Sequence, residues 1–217
     1  MKDNLKGLAY STIKERIIKC DYSPGTLLKE ENLVNELNIG RTPVRDALGR
    51  LEQEKLLTIK SKKGILISPI DFEEINHVYE MRMLLEPYSL QAYGNRLDEK
   101  SLLHWLDVFS QPIDVSDLLT SDEQFHQFII SATPNHYIGE YYQALQNQNK
   151  RFNAITGLSK GRQKATDEEH KKIIEACLMM EWDQAAVAMK EHLLRSKYAT
   201  VNRMLQKQRS ETTKEQK

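Results

Sequence analysis

The apolar residues of the chain recur every three or four positions over most of its length, which is the spacing of an amphipathic helix. Leu8, Ile13 and Ile17 mark the first predicted helix, and the Pro24-Gly25 pair ends it. Beyond residue 70 no strand-like alternation occurs. That part is expected to form an antiparallel bundle of six helices, at about 71–93, around 102–106, and at about 118–130, 137–152, 167–180 and 182–205.

Shorter elements are predicted between residues 27 and 70. A short strand at Leu27-Leu28 is followed by a helix over about 30–37 and a tight connection. Thr42 is a favourable N-cap and Pro43 a favourable first helical residue, so a third helix is expected to begin there. Two short helices joined by a tight turn are the helix-turn-helix arrangement.

The second helix of such a pair enters the major groove of DNA and presents the residues near its N-terminus to base edges. Those residues here are Arg41, Thr42 and Arg45. Arginine forms bidentate hydrogen bonds to guanine, and threonine contacts a base edge or a phosphate. The positively polarised N-terminus of the helix also favours a phosphate. The three residues are therefore candidates for contact with double-stranded DNA.

A β-hairpin is predicted directly after the third helix. Two β-prone runs, at 56–59 and 65–67, flank a basic turn that ends in Gly64. Such a hairpin forms a wing that places Lys62 and Lys63 against the DNA backbone and Gly64 close to a groove. A solvated turn is the alternative for the lysines taken alone. Their place behind a candidate recognition helix favours DNA binding.

Charge and composition divide the chain without suggesting a membrane protein. Residues 1–70 hold 13 lysines and arginines against 9 acidic residues, although the whole chain of 217 residues has a net charge of zero. A cationic first module suits a polyanionic partner. The chain has only two cysteines and no apolar run of membrane-spanning length, so a cytoplasmic protein without disulfides is expected. The predicted division is 1–70 for DNA binding, 71–210 for a helical domain, and 211–217 for a flexible tail.

Four residues of the helical domain have ligand chemistry. Asp122 and His126 are four positions apart and share a helix face, while His170 and His192 lie on the last two predicted helices. Three imidazoles and one carboxylate suit Zn²⁺, with Mn²⁺ or Ni²⁺ as alternatives. Each histidine taken alone is more often a surface or hydrogen-bonded residue than a metal ligand.

Two segments resemble a known family in residue order and spacing. The run PGTLLKEENLVNELNIGRTPVRDALGRLEQEKLLTIKSKKGILI resembles the DNA-binding domain of GntR-family bacterial regulators. This likeness implies that Arg41, Thr42 and Arg45 touch an operator and that Gly64 marks the wing tip. Gly40 departs from the Ser or Thr of many members, and Glu31 stands where some members have a DNA-contacting arginine.

The second resemblance covers the helical domain, from about 79 to 194. This part of the chain resembles the FCD sensor domain of the FadR subfamily in three motifs, which are D-E-Q-F-H, E-H-x-x-I-x-x-A and M-x-x-H-L. Its metal-binding members use an Asp-x-x-x-His pair and two later histidines, which fall on Asp122, His126, His170 and His192. The resemblance further implies a homodimer that binds an inverted repeat. The complete ligand set argues against the branch that binds fatty acyl-CoA.

A small carboxylate effector is the expected ligand of this domain. In related sensors an arginine of the first helix faces the ligand, and Arg82 occupies that place. A salt bridge from Arg82 to Glu86, one turn later, is the alternative. The helical register also directs Asn149 and Asn153 toward the cavity.

Two other functions remain open from the sequence. A metalloenzyme fused to a DNA-binding domain would use the same ligands, but no general base or nucleophile motif accompanies them. A purely structural metal would need no effector. The expected function is a transcription regulator that is not an enzyme and has no catalytic residues.

Overall fold

A computed structural model describes residues 2–61, 63–111, 115–157 and 160–215. The described residues form nine α-helices, one 3-10 turn and a three-stranded sheet, which confirms the predicted mainly α fold. The contacts group the chain into two compact units. One consists of Met1–Asp71 with Asn147–Ile155, and the other of Phe72–Gln146 with Thr156–Lys217. The sequence predicts a domain boundary after residue 70, and the first segment of the first unit ends at Asp71, one residue later.

The first unit contains three helices that share one apolar core. They are α1 (Lys2–Ile18), α2 (Glu30–Leu37) and α3 (Arg41–Gln53). Helix α1 packs against α3, and the helix-turn-helix pair is α2 and α3. The core consists of side chains at helical spacing from all three helices together with strand residues, among them Ile13, Ile17, Leu33, Val44, Leu48, Leu51 and Ile67.

Helix α3 begins at Arg41, two residues earlier than the sequence predicts, and the prediction of Thr42 as its N-cap is wrong. Gly40 is the N-cap, with extended backbone at φ −60° and ψ 158°, and no side chain caps this end. The amide of Val44 donates to the Gly40 carbonyl at 3.3 Å. Pro43 lies inside the first turn and lacks an amide hydrogen, so the helix has one donor fewer to satisfy.

The predicted hairpin is part of a three-stranded antiparallel sheet. The strands are β1 (Leu27–Leu28), β2 (Leu57–Lys60) and β3 (Gly64–Ile67), in the order β1-β3-β2. Gly64 has φ +118°, and a Cβ there would overlap the carbonyl oxygen of Leu28. The sheet therefore needs glycine at this position because two strands approach each other closely. Lys62 lies outside the described residues.

The second unit is built from the remaining helices. They are α4 (Phe72–Tyr93), α5 (Glu99–Val108), α6 (Val115–Ser131), α7 (His136–Thr156), α8 (Lys160–Leu178) and α9 (Trp182–Glu215). Helix α9 packs against both α4 and α8, and α5 packs against α8. The last part of α7, residues 147–155, groups with the first unit.

An aromatic cluster forms the centre of the second unit's core. Phe125 makes edge contacts with Trp105 and Phe109, with ring centroids 5.9 and 5.4 Å apart. The ring of His170 lies 4.4 Å from that of Phe109. This places one histidine of the candidate ligand set against the apolar core.

The end of α9 differs from the expected tail. The helix continues to Glu215, so residues 211–215 are helical, and residues 216–217 lie outside the described part. The segment has no apolar face, but it also contains no glycine or proline that would end the helix. None of the described helices is both long and apolar enough to cross a membrane.

Candidate functional site

Four side chains from three helices of the second unit converge on one point. Asp122 and His126 lie on α6, His170 on α8 and His192 on α9, and one ligand atom of each lies within 4.8 Å of the others. Nε2 of His126 is 3.2 Å from Nε2 of His192. Oδ1 of Asp122 is 3.7 Å from Nε2 of His126 and 3.4 Å from Nε2 of His170. The three histidines are buried.

Buried carboxylates orient two of these histidines. Nδ1 of His126 donates to Oε2 of Glu86 at 2.5 Å, and Nδ1 of His192 donates to Oε2 of Glu169 at 2.9 Å. An ionised carboxylate only accepts hydrogen bonds, so each Nδ1 carries the proton. A neutral ring protonated at Nδ1 has its lone pair on Nε2. The two Nε2 atoms face each other at 3.2 Å, and when both rings are neutral a cation between them would remove the repulsion of their lone pairs.

The ionisation of both carboxylates follows from their neighbours. Burial raises the pKa of the Glu86 carboxyl, but the positive charge of Arg82 and the hydrogen bond from His126 outweigh burial and lower it to about 2. Burial also raises the pKa of Glu169, while hydrogen bonds from His192 and Arg162 bring it down to about 2. Both groups are thus charged at neutral pH and fix the orientation of their histidines.

The third histidine has no such acceptor. Within the described part of the chain neither ring nitrogen of His170 has a hydrogen-bond partner. Burial lowers the pKa of His170 well below its ordinary value, because a protonated ring would lose its hydration here and would lie beside two further imidazoles. Burial lowers the pKa of His192 as well. Neutral imidazoles are the form that binds metal ions.

The donor set fits a divalent transition metal. Ligand nitrogens about 2.0 Å from a tetrahedral Zn²⁺ lie about 3.3 Å apart, close to the separation of the His126 and His192 nitrogens. A buried, unpartnered imidazole supplies a further donor, and the half-buried Asp122 supplies an oxygen. The carboxylates behind two of the rings are the usual outer partners of metal-bound histidine.

Arg82 lies beside this cluster, and its side chain forms the salt bridge that the sequence left as an alternative. Nε of Arg82 donates to Oε1 of Glu86 at 2.6 Å, and both side chains are buried. The terminal nitrogens of Arg82 make no hydrogen bond to the residues that the structure describes, and the role of Arg82 in binding an effector stays a prediction. Asn149 is buried and Asn153 half-buried, both in the part of α7 that groups with the first unit. Their roles stay predictions.

The candidate DNA contacts lie on the first unit. Four of these side chains are exposed. They are Arg41 and Thr42 at the start of α3, Arg45 one turn later, and Lys63 after β2. Nε of Arg45 donates to both carboxylate oxygens of Glu30, each at 2.9 Å. These side chains are accessible to solvent, and their contact with DNA stays a prediction.

Sequence reasoning missed Glu169 and Arg162, and it considered Glu86 only as a partner of Arg82. Arg162 binds Glu169 through two hydrogen bonds of 2.8 Å. Glu169 directly precedes His170 in the sequence but contacts His192 on another helix. No signal along the chain identifies such a contact, since it depends on how α8 and α9 pack.

The fold and these surfaces define the class of protein as a DNA-binding transcription regulator with a winged helix-turn-helix and a helical second domain. Two family models match the chain. Residues 5–67 match the bacterial regulatory proteins of the gntR family, and residues 77–195 match the FCD domain. The chain belongs to the gntR family of regulators that contain an FCD domain.

Individual relatives agree with this assignment. The Nta operon transcriptional regulator of Aminobacter aminovorans is 23% identical over 79% of this chain and 83% of its own length. A transcriptional regulator GntR from Rhodococcus sp. RHA1 superposes with a TM-score of 0.75 at 18% identity, over 91% of this chain and 97% of that chain. A Zn²⁺-bound FCD domain of another transcriptional regulator superposes with a TM-score of 0.54 at 23% identity, over 63% and 98%. Members of the family are transcription regulators and not enzymes, as expected.

Proposed function

We propose that this regulator acts as a homodimer on a palindromic operator and that its FCD domain binds a small organic acid at a metal ion, with Zn²⁺ as the first candidate. The observation that carries the metal is the approach of the His126 and His192 Nε2 atoms, each on a ring whose Nδ1 is held by a carboxylate. The Zn²⁺-bound FCD relative supports the choice of ion. Ni²⁺ and Mn²⁺ are the alternatives that elemental analysis would distinguish.

The residues that would hold the ion are Asp122, His126, His170 and His192. A metal ion there would supply a Lewis-acid position for one carboxylate oxygen of the effector. Arg82 would bind the same carboxylate through its terminal nitrogens, since its Nε is already bound to Glu86. Sugar acids, hydroxy acids and dicarboxylates are the classes to test.

Exposed apolar residues on α4 and α9 support the homodimer. Leu84 on α4 and Val187 and Tyr198 on α9 are each about three-fifths exposed. The two helices pack against each other, and exposed apolar side chains on them are candidates for burial in an interface. Leu84→Glu should shift the mass measured by light scattering toward the monomer. Tyr141→Glu, which changes an exposed residue on α7, should leave the mass unchanged.

Operator binding would depend on the recognition helix. Two copies of α3 related by a two-fold axis require half-sites of matching symmetry. Binding would take place in the bacterial cytoplasm. Among the residues that the structure describes, the candidates for contact with the operator are Arg41, Thr42, Arg45, Lys63 and Gly64. Arg45→Ala should weaken operator binding by about 1–3 kcal/mol at fixed salt. Arg96→Ala removes the same charge from the second unit and should have no effect.

Effector action is tested by operator affinity with and without acid. An acid switches the protein only when it binds one dimer arrangement better than the other. We expect at least one acid to change operator affinity about tenfold, which corresponds to about 1.4 kcal/mol, and to lose this effect after chelation. If chelation unfolds the second domain while no acid changes operator affinity, the metal is structural and the proposal fails.

A further inference from the structure

Glu86 connects two groups that the proposed function uses separately. Its Oε2 accepts from Nδ1 of His126, and its Oε1 accepts from Nε of Arg82 at 2.6 Å and from the Tyr142 hydroxyl at 2.9 Å. We propose that Glu86 is a positioning residue that couples Arg82 to the metal ligand His126. This inference rests on the proposed metal site and adds the route by which a group bound at Arg82 affects the metal.

The geometry makes the two sides of Glu86 interdependent. The carboxylate is completely buried, and each oxygen has its own partners. A rigid planar group cannot turn toward Arg82 without moving the oxygen that holds His126. Because the charge is buried, losing one partner leaves it poorly compensated, which makes such a loss costly. A change at Arg82 is therefore transmitted to the orientation and donor strength of the His126 ring.

Glu169 provides a matched comparison within the same site. It holds His192 as Glu86 holds His126, at 2.9 Å. Its other partners are arginines of α8 and α9, with Arg162 bound through two hydrogen bonds of 2.8 Å and Arg195 at 3.6 Å. Arg82 makes no contact with Glu169 among the described residues. Both glutamates should thus support metal binding, but only Glu86 should transmit a change at Arg82.

The experiment is a double-mutant cycle with Zn²⁺ alone as the probe. Zn²⁺ affinity is measured by competition with a chromophoric chelator for the full-length wild type, Arg82→Gln, Glu86→Gln, Glu169→Gln and the two double variants. Each glutamate variant should weaken Zn²⁺ binding about 10–100-fold. Arg82→Gln should weaken it several-fold in the wild-type and Glu169→Gln backgrounds and have no effect in the Glu86→Gln background.

A second readout separates coupling from general loosening of the domain. In the Co²⁺-loaded protein, Arg82→Gln should shift the visible absorption bands, and the shift should be absent when Glu86 is glutamine. Tyr142→Phe removes the other donor to Oε1 and should weaken Zn²⁺ binding in the same Glu86-dependent way. This variant retains the aromatic ring and tests the proposal if Arg82→Gln does not fold.

The outcomes distinguish this inference from the proposed function. Equal effects of Arg82→Gln in all backgrounds, or no effect in any, would overturn the coupling while the metal site stands. A wild-type protein that binds neither Zn²⁺ nor Co²⁺ would instead overturn the proposed metal site, and the coupling with it.

Discussion

Glu30, the first residue of α2, binds the guanidinium of Arg45 on α3 through Nε, at 2.9 Å to each carboxylate oxygen. The two terminal nitrogens of Arg45 take no part in these hydrogen bonds. Those nitrogens form the fork that can bind O6 and N7 of a guanine. The relationship makes Glu30 a residue that orients the candidate base contact.

Glu30→Gln is therefore expected to reduce discrimination between the operator and a scrambled duplex. The ratio of the two affinities should fall about fivefold or more, because an unoriented arginine binds phosphates as readily as a guanine. Fluorescence anisotropy at fixed salt measures both affinities. Glu31→Gln makes the same charge change on the exposed neighbour, so it should alter both affinities alike and leave their ratio intact. Equal behaviour of the two variants would contradict the orienting role.

Gly64 leads to a prediction about stability in the same unit. Gly64→Ala places a Cβ against the Leu28 carbonyl at φ +118°, so it should destabilise the domain by about 2 kcal/mol or more. Gly49→Ala is the control, because a Cβ at this position within α3 meets no atom within 4 Å. It should stabilise the protein by about 0.5–1 kcal/mol. Urea denaturation measures both, and a neutral Gly64→Ala would show that β1 does not approach β3 as described.

The sequence predicted elements well where periodicity extended over several turns. The existence of the six helices of the second unit follows from apolar spacing. Helix α8, however, begins at Lys160 and not near residue 167 as predicted, because its first turns are polar and carry no such spacing. The start of α3 depends on the backbone of Gly40, which has no side chain to mark a cap. The two-residue strand β1 was expected, but its pairing with β3 arises from tertiary contact. Spacing and side-chain chemistry identified Asp122 and the three histidines as candidates, and the resemblance to the FCD domain favoured their interpretation as metal ligands. The contacts of Glu86 and Glu169 with the histidines could not be predicted without knowing how the helices pack, since a glutamate on a predicted helix is usually solvated.

Loss of a candidate ligand should reduce the metal content. His126→Ala is expected to lower bound metal from about one ion per chain to near zero, because it removes one of three imidazole donors. His77→Ala removes a histidine that is exposed on α4 and should leave the stoichiometry unchanged. Elemental analysis of protein purified without chelator measures both. Wild-type stoichiometry in His126→Ala would refute the assignment of this histidine as a ligand.

Asp167 predicts a pH dependence of the stability of the metal-free protein. Burial, opposed in part by the ammonium of Lys171, raises the pKa of Asp167 from 3.8 to about 6. The folded state then binds this proton more tightly than the unfolded state, so the contribution of Asp167 to stability falls as pH rises from about 4 to about 6. Asp167→Asn removes the ionisable group. With a chelator present, the Tm of the variant minus that of the wild type should increase over this range and level off above it.

Glu168 tests whether the sign of this effect is specific to Asp167. Its exposed carboxylate has a pKa lowered by the hydrogen bond from Lys171, which lies at 2.6 Å. The contribution of Glu168 to stability is present above its ordinary pKa and is lost as the pH falls. The Tm of Glu168→Gln minus that of the wild type should therefore decrease as pH rises through the acidic range. If the Asp167→Asn difference has the same value at about pH 4 and about pH 7, the Asp167 side chain is not buried as its raised pKa requires.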